Sequence, residues 1–133
     1  MPLSRQSNAI NNYGKNALHS EVQTASRHRL IQMLMEGVLE KVAYAKGNIE
    51  RNNYQEKGKN IGWAISIVNG LRASLDKEKG GEIAQNLEDL YDYIIRCLSD
   101  ANTNADISKL EEVTRLLLEI KGGWDGIPVE FRN

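Results

Sequence analysis

Cysteine, proline and aromatic residues are scarce in this chain, which has one cysteine, two prolines and an aromatic content of 6% over 133 residues. Because Cys97 has no second cysteine to pair with, an internal disulfide framework is excluded. The prolines, Pro2 and Pro128, lie near the ends, so the interior lacks the residue that most strongly breaks helices. These absences favour an all-helical fold of one domain, in which Cys97 fills a small apolar position at the edge of the core.

The chain also lacks an excess of charge and a long apolar run. Its formal net charge is -1, so it has no surplus of lysine and arginine of the kind that binds phosphate backbones. No window approaches about eighteen uninterrupted apolar residues, and the N-terminal residues MPLSRQSNAINN lack the apolar segment of a signal peptide. We therefore expect a cytoplasmic protein that neither binds nucleic acid nor inserts into a membrane.

Residue patterns with catalytic or metal-binding chemistry are missing as well. His19 and His28 are the only histidines, and neither has a cysteine or carboxylate at a metal-ligand spacing, so we expect both to be ordinary surface groups. Gly80 and Gly81 precede a predicted helix, but neither a P-loop nor a GxGxxG motif surrounds them. No serine, histidine and acidic residue form a recognisable nucleophile motif. The sequence therefore predicts no enzyme activity, no cofactor and no metal site.

Apolar residues at helical spacing are abundant. The clearest case is residues 81–102, where they recur at alternating four- and three-residue steps and so share one face of a helix. This predicted core face comprises Ile83, Leu87, Leu90, Ile94, Leu98 and Ala101. The opposite face is charged, and the apolar sector is wider than one neighbouring helix covers, which is typical of a helix inside a bundle.

The same spacing predicts three further helices. Their predicted ranges are 27–51, 53–76 and 106–124. Ser26 or Thr24 is expected to cap the first of these helices, and Asp106 the last. Because the links are only a few residues long, consecutive helices are predicted to be antiparallel. The predicted fold is all-α: an antiparallel up-down four-helix bundle over residues 26–126, with an additional N-terminal helical arm over 1–25 and a loose tail over 127–133.

Apolar residues outside these core faces are more numerous than one bundle interior needs. On the first helix they form a second strip, made of Leu30, Met33, Gly37 and Tyr44. On the second helix Trp63 and Ile67 lie beside the small residue Gly70, an arrangement that would form a groove for an amphipathic helix. Two more outlying residues on the fourth helix are Ile107 and Leu118. We interpret the surplus as a partner-binding surface; the alternative is that four short helices bury these residues by irregular packing.

Residues 1–25 are polar apart from isolated apolar residues, which include Ile10 and Tyr13. Such a segment is too polar and too short to fold alone, so we expect an arm that becomes ordered when it docks on the bundle. There it would occupy a groove as an internal substitute for the partner, unless Tyr13 itself contacts the partner. The predicted partner-binding residues are Ile10, Tyr13, Leu30, Met33, Gly37, Trp63, Ile67 and Gly70.

The order and spacing of several segments resemble those of the FliS family of flagellin export chaperones. These segments are AINNY at 9–13, VQTASRHRLIQMLMEG at 22–37, SLD at 74–76, GGEIAQNL at 80–87, LYDY at 90–93, and Trp124. The resemblance implies an antiparallel helical bundle that binds the disordered C-terminal segment of newly made flagellin in the cytoplasm. Such a protein prevents premature polymerisation of flagellin and hands it to the flagellar type III export apparatus, so an export-gate component is a further expected partner.

A second interpretation stays open at this point. The same apolar surface would also serve a self-associating bundle, or a regulatory bundle that sequesters another flagellar protein such as an anti-sigma factor. The oligomeric state separates self-association from client binding, because an open client groove favours a monomer and self-association a stable dimer.

Overall fold

A computed structural model describes residues 26–132 of the chain, and these residues form four helices and a short 3-10 helix. The elements are α1 (Arg27–Glu50), α2 (Tyr54–Ala73), α3 (Lys77–Asn104), α4 (Ile107–Asp125) and the 3-10 helix Val129–Phe131. The predicted helical bundle is confirmed, whereas the predicted arm, with Ile10 and Tyr13, lies outside the described residues. None of the described helices is long and apolar enough to cross a membrane.

A short polar side chain begins each of the four helices. The pairs of capping oxygen and backbone N–H group are Ser26 with Arg29, Asn53 with Glu56, Asp76 with Lys79, and Asp106 with Ser108. Each cap satisfies a backbone donor that has no partner within its own helix and contributes about 1 kcal/mol. The predicted caps Ser26 and Asp106 are thereby confirmed.

Hydrogen bonds between helix ends fix the antiparallel order. The donors and carbonyl acceptors are Arg27 Nη2 to Ser74 at 2.6 Å, Lys57 Nζ to Asn102 at 2.7 Å, and Trp124 Nε1 to His28 at 2.9 Å. Each bond joins the beginning of one helix to the end of another. The helices form a closed ring in which α1 and α3 each pack against both α2 and α4.

The core lies between the four helices, and on α1, α2 and α4 its buried apolar residues recur at the three- and four-residue steps that the sequence predicts. Its buried members on α3 are Ala84, Tyr91, Ile94, Cys97, Leu98 and Ala101. The prediction for α3 was wrong at Ile83, which is 73% exposed, and at Leu90, which is half-buried and does not belong to the core cluster. Ile83 lies two residues after a break in α3 at Gly81, and it lines a cavity at the end of the bundle. The break depends on glycine, because Gly81 has a φ of 52° that other residues rarely adopt.

Candidate functional site

The first candidate site is the groove between α1 and α2 on the solvent side of the bundle. The two helices are in contact at Gly37, where an added Cβ atom would lie 3.4 Å from Cδ1 of Ile67. Ile67 is partly buried and packs against the core, so it forms the floor of the groove. Residues that the sequence placed on two separate helices therefore lie on either side of one groove.

Aromatic side chains form one end of this groove. Trp63 is 61% exposed and Tyr44 is 51% exposed. The ammonium group of Lys41 lies between them, 5.5 Å from the ring centroid of Tyr44 and 5.9 Å from that of Trp63. Two large rings held on a helical scaffold give the groove amphipathic anchors of the kind that often dominate binding.

Aliphatic and small residues extend the groove towards the start of α1. Leu30 and Met33 are half-buried and belong to α1, and neither is part of the core cluster. Gly70 is exposed on α2, two turns beyond Trp63, and no atom lies within 4 Å of the position that its Cβ would take. We call this surface the outer groove, with the members Leu30, Met33, Gly37, Lys41, Tyr44, Trp63, Ile67 and Gly70.

A second apolar concavity, the end cavity, lies where α3 begins and α4 ends. Its volume is about 580 Å³. Its apolar lining includes Ile31, Met35, Ile83, Leu87, Tyr91, Ile120 and Trp124. Burial raises the pKa of the Tyr91 phenol to about 12, so this ring is uncharged at neutral pH. The exposed Ile83 on its wall marks apolar surface that the described residues leave uncovered.

Trp124, which lines the end cavity, joins α4 to α1 through a reciprocal contact with His28. Nε2 of His28 donates to the Trp124 carbonyl oxygen at 2.7 Å, and the two rings stack with their centroids 4.9 Å apart. His28 is 4% exposed, so the prediction that it is a surface group was wrong. Helix α4 continues through Gly122 and Gly123 to this contact, although glycine favours helix poorly. The other histidine, His19, lies outside the described residues.

The polar groups near the helix interfaces fit a structural role better than a catalytic one. Cys97 is buried, and burial raises the pKa of its thiol, which disfavours the reactive thiolate. Glu112 accepts a hydrogen bond from Tyr93 at 2.5 Å and joins α4 to α3. Within residues 26–132 no group of three or more histidine, cysteine or acidic side chains is placed to hold a metal ion. The described surfaces offer apolar contact rather than reactive groups.

The comparison with known proteins decides the family. A family model described as flagellar protein FliS matches residues 9–130. The chain belongs to the FliS family. This membership agrees with the resemblance seen in the sequence.

Relatives with curated names cover most of the chain. The flagellar secretion chaperone FliSB of Pseudomonas aeruginosa is 52% identical over 119 residues, which is 90% of this chain and 94% of the relative. The flagellar secretion chaperone FliS of Salmonella typhimurium is 44% identical over 119 residues, covering 89% and 88%. That of Vibrio cholerae is 38% identical over 121 residues, covering 91% and 89%. The FliS relatives are thus similar over nearly their whole length.

Sequence reasoning missed three contributors to these surfaces. Lys41 was not selected because a charged residue on a helix usually lies in solvent, yet its spacing from Gly37 and Tyr44 places it on the same strip. Ile83 was assigned to the core face of α3 and Trp124 was not selected as a site residue, and both line the end cavity. The available signal for the end cavity was the position of Ile83 in the first turn after Gly80-Gly81. A core face at the end of a bundle can lack a neighbouring helix to cover it.

Proposed function

We propose that this chain is a flagellar secretion chaperone that binds the disordered C-terminal segment of flagellin in the cytoplasm. Bound in this way, flagellin does not polymerise prematurely and is handed to the flagellar type III export apparatus. Membership of the FliS family and relatives named flagellar secretion chaperones support this role. The observation that carries it is the outer groove, an apolar surface with exposed aromatic rings beside small residues.

The outer groove suits an amphipathic segment that folds on binding. A disordered segment with an apolar stripe gains a partner for that stripe when it lies as a helix in a hydrophobic groove. The exposed small residue Gly70 leaves room for the backbone of such a helix to approach α2. Once covered, the stripe is no longer available to other flagellin molecules, so binding competes directly with self-assembly.

Trp63 is expected to contribute most to the binding free energy. Its exposed fraction is 61%, and three-fifths of an indole side chain corresponds to about 150 Å² of surface. Burying that area would contribute about 3–4 kcal/mol before the cost of ordering the client is subtracted. The loss on truncation would be large enough to measure without ambiguity.

Titration calorimetry with a peptide of the flagellin C-terminal segment tests the proposal. Trp63→Ala should weaken binding at least about tenfold, as truncation of a central aromatic anchor does. Leu118→Ala is the matched control, because Leu118 is also a large exposed apolar residue but lies beside the groove between α1 and α4. The proposal fails if the unaltered protein does not bind the peptide, and the assignment to the outer groove fails if Leu118→Ala is the more damaging change.

We further propose that the arm formed by residues 1–25 docks on an apolar groove of the bundle when no client is bound, where it acts as an internal substitute for the client. The end cavity is a candidate for this docking, because Arg27, which follows the arm closely in the chain, lines it. Tethering gives a local concentration of about millimolar, which makes weak docking effective. Tyr13→Ala should then increase the binding of an apolar dye while leaving client affinity unchanged or tighter. A large loss of client affinity in a folded variant would instead make Tyr13 part of the client site.

A further inference from the structure

Lys41 is a cation inside an apolar groove, and its described contacts are all aromatic. Its ammonium group lies over Tyr44 and Trp63, and it forms no ion pair with any carboxylate among residues 26–132. Lys59, one turn before Trp63 on α2, differs in this respect, because its ammonium group pairs with Glu56 at 3.2 Å. The groove therefore contains one cation that the described part of the chain leaves without an acidic partner.

The position of Lys41 matters when an apolar helix covers the groove. Covering it removes water from the ammonium group, and an ion that loses water without gaining an opposite charge is strongly disfavoured. Contacts with two aromatic faces offset only part of that loss. A client that is apolar along its whole contact stripe would therefore bind less well than one that brings a negative charge to this point.

We propose that Lys41 selects clients, and that the preferred client is an amphipathic helix that places a carboxylate against its ammonium group. This inference rests on the proposed function, since it assigns a charge requirement to the same groove. The carboxylate would come from an aspartate or glutamate side chain or from the terminal carboxylate of the flagellin chain. Because Gly37 and Tyr44 lie one turn to either side of Lys41 on α1, apolar client residues should flank the carboxylate by about one turn.

A double-mutant cycle tests this pairing. The probes are a flagellin C-terminal peptide, a series in which each aspartate or glutamate is replaced singly by its amide, and a C-terminally amidated peptide. The proteins are the unaltered chain, Lys41→Met and the control Lys59→Met. One change to the peptide should weaken binding to the unaltered protein by about tenfold, as for charge pairs that lose water at interfaces. The same change should have no effect on binding to Lys41→Met, and Lys59→Met should behave like the unaltered chain.

The outcomes separate the two sources of charge and the two hypotheses. Sensitivity to one amide replacement assigns the pairing to that side chain, whereas sensitivity to C-terminal amidation assigns it to the terminus. If the native peptide binds but every modified peptide binds equally well, the inference about Lys41 is overturned and the proposed function stands. If the native peptide does not bind the unaltered protein, the proposed function is overturned and the inference with it. Thermal melts of both lysine variants confirm that they are folded.

Discussion

Replacing Ile94 by alanine would remove most of a side chain that lies wholly inside the bundle, with 0% exposure. Large-to-small changes at such positions cost about 2–5 kcal/mol, because burial is lost and a cavity remains. A chain of 133 residues has an unfolding entropy of roughly 0.3 kcal/mol per kelvin, so a loss of about 3 kcal/mol lowers the melting temperature by roughly 10 °C.

Asp92 provides the matched comparison, because it lies on the same helix two residues away. Its carboxylate pairs with Arg72 at 3.0 Å on the surface. Exposed ion pairs contribute about 0–1 kcal/mol, so Asp92→Ala should lower the melting temperature by only a few degrees, about 4 °C at most. Thermal unfolding followed by circular dichroism measures both variants. If Asp92→Ala were as damaging as Ile94→Ala, the assignment of the buried face of α3 would be refuted.

Two further predictions concern the groove and the response to acid. Gly70→Leu should weaken binding of the flagellin peptide in calorimetry, while the melting temperature stays equal or rises, because leucine favours helix by up to about 1 kcal/mol over glycine. Gly62→Leu on the same helix is the control, because atoms added there also meet open space, and it should not weaken binding. Unchanged affinity in Gly70→Leu would remove this end of the outer groove from the binding site. The hydrogen bond from Lys121, with smaller help from Gln32, holds the pKa of Asp125 below its ordinary 3.8. A carboxyl group whose pKa is lowered by folding stabilises the fold at pH values above its ordinary pKa, and this contribution is lost as the pH falls through the lowered pKa. Asp125→Asn should therefore melt at a lower temperature than the unaltered chain at neutral pH. The difference should disappear in acid, and melts that differ equally at all pH values would contradict this reasoning.

The helices and most of their buried faces could be predicted because both depend on local information. Apolar spacing along one segment defines which side of a helix is buried, and the capping residues Ser26 and Asp106 mark starts within a few positions. His28 could not be placed in this way. Its burial depends on where the end of α4 meets the start of α1, which is a property of the assembled bundle.

The candidate site was predictable only as separate pieces. The strip on α1 and the cluster around Trp63 on α2 were each visible in the sequence, but their position on one groove depends on which sides of the two helices face each other. The end cavity was missed because Ile83 has the same helical phase as the buried Ile94, yet no described side chain covers it. The binding roles of these residues stay predictions.

Methyl NMR of the labelled protein, titrated with the flagellin peptide, would decide which surface receives the client. The methyl groups of Met33 and Ile67 report on the outer groove, and those of Ile107 and Leu118 report on α4. We expect the signals of Met33 and Ile67 to shift in proportion to bound peptide, while those of Ile107 and Leu118 stay in place. Shifts confined to Ile107 and Leu118, with Met33 and Ile67 unchanged at saturation, would contradict client binding in the outer groove.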